Sequence, residues 1–517
     1  MPTNRLAAVI VLACLPLTAW AEAKSTKPLS AIDWLSQSLV TPIAMIPPTA
    51  VEPPVTLKGA NPDSVSVQTL GADTTDSLGV LSASVTGLPQ AVWGMTKVAD
   101  ISSLLKPDTG SDLPALQGLL MTVLLAESDP PDGTPPGETL FLARVDKLMA
   151  MGALDQARAL LDTAGADRSP EIFRRFFDVA LLIGDEDRAC AALKTTPGLA
   201  PALPTRIFCL ARAGDFATAQ LTLDTAKALS TVTPEEFALL ARFMDPSLDD
   251  TGITPIIPYP VTPLVFRIYE AIGEPLPDTT LPIAFTYADL SDTAGWKAQL
   301  DAVERLSRTG SIAPNLLLGM YTQRKPAASG GVWDRVAAFQ AVDKAITSKD
   351  PKAVERTLPP AWAMMKDAQL EVPFASLYAT ALSKLSLTGS SASVARDIEL
   401  LSPDYEKLTQ GMTAPDAPGA FRLALARGIF ANVTPPDDLS RAIATAFTAP
   451  DVPPDLQAMI DQGRFGETVL RVLALLRQGE AGNMRAVTEG LSVLHKLGLE
   501  DVARRTALQM ILLDRRG

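Results

Sequence analysis

The chain has 517 residues, with 58 acidic against 45 basic side chains and a formal net charge of −13. That balance excludes electrostatic capture of DNA or RNA, which rests on cationic side chains displacing counterions from phosphates, and it opposes adhesion to an anionic membrane surface. With 47% apolar and 20% charged residues and only three cysteines, the sequence describes packed globular protein, neither a disordered polymer nor a small disulfide-stapled scaffold.

Residues 1–21 place Arg5 before an apolar stretch from Leu6 to Leu17 and end on Ala19-Trp20-Ala21. This order predicts a secretory signal peptide cut after Ala21; its apolar part is too short for a comfortable membrane span. The other reading, an anchor acylated at Cys14, fits poorly because Leu12 lies two positions before the cysteine. Cleavage makes the chain one charge unit more acidic, removes Cys14, and leaves Cys190 and Cys209 as an even pair in an exported protein. No later apolar run approaches 18 residues, so the expected product is periplasmic and has no transmembrane span.

Residues 22–136 carry Pro47, Pro48, Pro53 and Pro54, then Pro130, Pro131, Pro135 and Pro136 at the close. That density predicts a partly extended arm, because proline removes a helical hydrogen bond and favours polyproline backbone. Three islands interrupt it. Ser30 is placed to cap a short helix whose Ile32, Leu35 and Leu39 share a face, with Trp34 beside them; Ser64–Leu70 alternates as a short strand would; Asp112–Ser128 reads as the first helix on the main body. The Ile32, Trp34, Leu35 and Leu39 island has two readings, a segment folded back on its own protein or a helical ligand for a groove in another.

From Gly137 the pattern is helical throughout. Clear apolar periods cover 137–149, 155–163, 170–183, 185–193, 205–212 and 217–229, and later 296–308, 333–346, 421–430, 467–476, 484–497 and 500–513, separated by Pro, Gly or Asp/Ser turns. The expected fold is all-α, with repeats over 137–250 and a further array of helical hairpins over 251–517.

Three windows align on a glycine. Gly152, Gly184 and Gly214, 32 and 30 residues apart, are each followed five positions later by Ala157, Ala189 and Ala219, and four beyond those by Leu161, Leu193 and Leu223. In a helical hairpin the glycine ends the first helix with left-handed backbone, Asp185 and Asp215 are placed to cap the second, the alanine permits a close crossing, and the leucine fills the layer beneath. Gly498, Ala503 and Ala507 form a fainter echo.

These offsets resemble the second half of the tetratricopeptide repeat, with Ala164, Ala226 and Pro201 matching further positions. Thr196 departs from the pattern, and the large aromatic and small residue of the family's first helix are missing. The resemblance covers roughly residues 137–230 and implies a right-handed α-solenoid. In such hairpins Cys190 and Cys209 flank a turn around Leu199 and Ala200, which predicts a disulfide between antiparallel neighbours.

The sequence offers little for catalysis. His495 is the single histidine, and no phosphate-cradling, nucleophile-elbow or zinc-protease motif is present. Periplasmic lytic transglycosylases carry a large α-superhelix and mark their catalytic module by Glu-Ser; here Glu127-Ser128 is followed by Asp129-Pro130-Pro131, as at a helix end, and their second motif is absent. The resulting expectation is a scaffold without cofactor or metal that binds other envelope proteins. In layout it is similar to the periplasmic flagellar-motor proteins of the MotC and MotK kind, although no diagnostic motif carries that likeness. The alternatives are a cell-wall glycan hydrolase and an envelope assembly or secretion factor.

Overall fold

The computed structural model describes residues 74–106, 113–135, 137–245 and 256–513. The expected signal segment, the expected helix carrying Ile32, Trp34, Leu35 and Leu39, and the expected strand at Ser64–Leu70 lie outside them. Among the described residues the protein is all-helical, and the nearest approach to a sheet is one parallel bridge between Leu81 and Ala126.

The expected helices form within a few residues of their sequence bounds. Thr139–Ala150, Leu154–Ala164, Pro170–Ile183, Glu186–Thr195, Leu203–Arg212 and Phe216–Ala228 follow one another; Trp296–Arg308, Val332–Thr347, Phe465–Glu480, Met484–Lys496 and Glu500–Leu512 lie further on. Others join them, among them Pro234–Met244, Pro263–Ala271, Pro351–Asp367 and Gly389–Leu401. Their starts are local chemistry. The Ile172 N–H donates to Ser169 Oγ at 3.1 Å, Thr233 and Glu236 form a reciprocal capping box, and proline opens several first turns, where its missing N–H costs nothing.

Aromatic rings run through the first hairpins as a continuous core. Phe173 meets Phe177 at 6.1 Å, Phe177 meets Phe208 at 6.3 Å, and Phe208 meets Phe243 at 5.4 Å, so one file of rings ties three successive first helices together. A second file joins Tyr321, Phe339, Phe374 and Tyr378.

The chain after residue 256 does not simply extend the array. It returns across the first hairpins: the Tyr287 hydroxyl donates to Asp155, Gln156 Nε2 donates to the Ser311 carbonyl at 2.9 Å, and Arg267 Nε donates to the Leu181 carbonyl.

The arm expected over 22–136 differs from Thr74 onward, where it is part of the body. Val92 and Trp93 are 1% exposed, and Trp93 Nε1 donates to Ser128 Oγ at 3.2 Å. Arg144, fully buried on Thr139–Ala150, donates to the carbonyls of Leu78, Leu124 and Ala126 at 2.7–2.8 Å, while Asp76 accepts the Phe141 N–H at 2.8 Å. Toward the other end of the chain, the Gly466 N–H donates to the Val92 carbonyl at 2.6 Å, and the Ala115 N–H donates to Gln509 Oε1 at 2.9 Å. The prolines of this segment keep its helices short, but they do not stop burial. The apolar residues between the prolines, with backbone groups satisfied by Arg144 and by short runs of chain pairing, hold this segment in the core.

Candidate functional site

The repeat positions occupy equivalent places. Gly152, Gly184 and Gly214 have φ of 75°, 79° and 80°, and each lies just beyond the first helix of its hairpin. Ala157, Ala189, Ala219, Leu161 and Leu223 are fully buried, and Leu193 is 4% exposed. Gly498 repeats the conformation at 77°, with Ala503 and Ala507 fully buried behind it. Space is an added constraint at Gly152, where a Cβ would lie 2.9 Å from the Leu306 side chain that the returning chain brings in. The two aspartates diverge: Asp215 accepts the Thr218 N–H at 3.2 Å as a cap, whereas Asp185 pairs with Arg158 at 2.6 Å.

Cys190 and Cys209 form a disulfide, with their Cα atoms 5.2 Å apart. It joins Glu186–Thr195 to Leu203–Arg212 across a short 3-10 turn at Pro197–Leu199. Beside it lies a cleft of about 480 Å³ lined by both cysteines, Leu193, Leu210, Lys194 and Arg206. Arginine–carboxylate pairs cross from hairpin to hairpin along the same helices. Arg188 bridges to Asp162 at 2.8 Å, and Arg212 to Asp187 at 2.6 Å and Glu186 at 3.2 Å. The guanidinium groups of Arg158 and Arg188 lie 5.2 and 5.3 Å from the Phe176 ring centre. Exposed pairs of this kind contribute up to about 1 kcal/mol each, so the aromatic core and the disulfide carry more of the bracing than the ion pairs do. Burial pushes the Asp162 carboxyl up, against the pull of Arg158.

Phe216–Ala228 lies at the edge of this group. Ala219, Leu223 and Ala226 are its buried stripe. Its opposite face is exposed and holds Ala217, Leu221, Asp224 and Ala228, with Thr218 and Thr225 beside them; Leu221 is 68% exposed, and the one carboxylate, Asp224, accepts from Gln220 Nε2 at 3.1 Å. Thr222 and Thr225 turn their hydroxyls onto their own helix, each at 2.7 Å from a carbonyl one turn back. The i, i+4 spacing of Ala217, Leu221 and Thr225 is legible in the sequence; that this face lacks a neighbour is not.

The single histidine and two buried glutamates have structural partners. His495 Nδ1 meets the Glu500 carboxylate, and its ring packs edge-on to Phe447. Glu127 follows the end of Pro114–Leu125 and its N–H donates to the Leu81 carbonyl at 2.7 Å. Buried Glu304 accepts from Tyr321 at 2.6 Å and from both arms of Arg335 at 2.7–2.8 Å; buried Glu467 lies between Arg464 and Arg471. Burial pushes the Asp178 carboxyl up to about 6, against the nearby Arg174 and Arg175. No group of three His, Cys, Asp or Glu among the described residues is placed to hold a metal ion, and no described helix is long and apolar enough to cross a membrane.

No protein-family model, no curated protein and no solved structure matches the chain. What its geometry defines, among the described residues, is an all-helical protein in which one disulfide joins two neighbouring helices.

Proposed function

We propose that this protein is an exported helical scaffold of the cell envelope, with a right-handed, tetratricopeptide-like array over 137–250 and a binding role toward other envelope proteins. Within that class, service to the flagellar motor is the particular role that its layout favours. The observation that carries the reading is the edge helix Phe216–Ala228, whose outer face has Leu221 exposed between Ala217 and Ala228, beside hairpins that a disulfide joins. Exposed apolar surface such as Leu221 is what a protein partner desolvates most cheaply, and rigid hairpins lose little entropy on binding. The disulfide supports the reading, since export through the signal-like segment would place the chain where such a bond persists.

The test is in-cell crosslinking followed by purification of the full chain and of a Leu221→Glu variant. The native chain is expected to carry envelope proteins that the variant loses at least about tenfold, in line with burying a charge in an interface core. An unchanged set of crosslinked partners would remove this face from the proposal.

A further inference from the structure

A second concavity lies where the N-terminal chain enters the described body. It is a groove of about 430 Å³ between the end of Val98–Leu104 and Thr139–Ala150, with Leu105, Leu142, Ala143 and Ala150 as its apolar lining. Ser102, Thr139, Lys106, Lys147 and the Arg175–Asp146 ion pair supply its polar lining, the ion pair held at 2.7–2.8 Å by two contacts. Thr74, the first described residue, donates Oγ1 to the Gly137 carbonyl at 3.2 Å, two residues from Thr139 in the groove lining. Chain from residue 73 backward therefore starts at the rim of this groove.

We propose that residues 30–39 of the same chain occupy it, with the stripe of Ile32, Leu35 and Leu39 and the Trp34 indole against Leu105, Leu142 and Ala143. Three observations converge on this occupant. The first is chemical match: the island is apolar with one carboxylate, Asp33, and the groove presents Leu142, Ala143 and Ala150 with the exposed Lys106 at its edge, while the buried Lys147 ammonium is taken by the Lys106 carbonyl. The second is reach. Residues 40–73 span roughly 30 Å as a flexible coil and up to about 105 Å as an extended polyproline-like chain, ample for a groove whose rim adjoins their own attachment point. The third is tethering, which holds the island at an effective concentration in the millimolar range, so that a weak contact suffices for occupancy. Any outside partner of this groove then competes with a tethered segment of the protein itself. The inference stands apart from the scaffold reading, because it concerns a different surface and an internal ligand.

Oxidative crosslinking of the full-length exported protein tests it. Leu35→Cys is combined with Ala150→Cys, an exposed position in the groove lining, and separately with Ala228→Cys, an exposed position on the edge helix. An intramolecular 35–150 bond, located by peptide mapping, is expected to form at least about tenfold faster than the 35–228 bond. Adding Trp34→Ala, or filling the groove with Ala143→Trp, should slow the first reaction and leave the second unchanged. Equal rates for the two pairs, insensitivity of the 35–150 bond to both added substitutions, or bonds formed only to other molecules would each overturn the proposal. The Leu221→Glu result on envelope partners is independent of all of these.

Discussion

Glu399 illustrates how one buried side chain sets a property of the whole chain. It lies on Gly389–Leu401 at 4% exposure, and burial pushes its carboxyl from about 4.5 up to about 7, with Arg396 opposing. The folded chain therefore holds this proton at pH values where the unfolded chain has released it. Between about pH 4.5 and pH 7 the native state binds more protons than the unfolded state, so this residue's contribution to stability falls as pH rises through that window and is level above it. At about 1.4 kcal/mol per unit, the full effect is up to about 3 kcal/mol. Glu399→Gln keeps the shape without the charge. Urea titrations should find the variant close to the native protein at pH 5 and more stable by up to about 3 kcal/mol at pH 8. A difference that does not change with pH would mean that the carboxylate ionises freely. Neighbouring positions in the sequence give no hint of this, since Glu399 sits in an ordinary helical pattern and only packing removes its water.

Among the elements, the disulfide-joined helices are the most sharply testable. The bond closes a loop with a sequence separation of 19. Chain entropy alone assigns such a closure about 3 kcal/mol. The double variant Cys190→Ser/Cys209→Ser should lose about that amount in urea unfolding and should no longer respond to reductant; full stability in the variant would show that the aromatic file through Phe177 and Phe208 suffices. Pro351–Asp367 shows how an element survives a local rule against it. Pro359 and Pro360 lie inside this helix, and the missing amide of Pro359 leaves the Glu355 carbonyl without its usual donor. Ser391 Oγ, from a neighbouring helix, donates to that carbonyl at 2.9 Å. A tertiary hydrogen bond thus replaces a local one, which no reading of 351–367 by itself could supply.

For the whole molecule, the segment from Thr74 to Pro135 connects parts of the chain that are far apart in sequence. In a pure repeat array each unit touches only its neighbours. Here Asp76 and Arg144 join this segment to the first hairpins, while Val92, Trp93 and Ala115 join it to helices beginning at Phe465 and Glu500. Gly466 is shaped for this contact, since a Cβ there would lie 2.7 Å from the Trp93 ring. Removing the ring should cost about 3–5 kcal/mol where the segment docks. In Trp93→Ala, amide hydrogen exchange is expected to accelerate together in 98–104, 114–125, 465–480 and 500–512, because these elements share one cooperative contact. Faster exchange confined to residues 90–96 would show that the two ends are held independently.

Much of this protein is legible in its amino-acid order. Helical class, the hairpin turns at Gly152, Gly184 and Gly214, and the pairing of Cys190 with Cys209 all follow from local rules: a 3.6-residue apolar period, left-handed backbone at glycine, and antiparallel neighbours flanking a short turn. The docking of 74–135, the return of the chain across Asp155 and Gln156, and the open face at Leu221 were decided by tertiary structure alone. Each depends on which surfaces meet across hundreds of residues, and proline density, which correctly marks where helices stop, carries no information about which apolar side chains between the prolines find a partner.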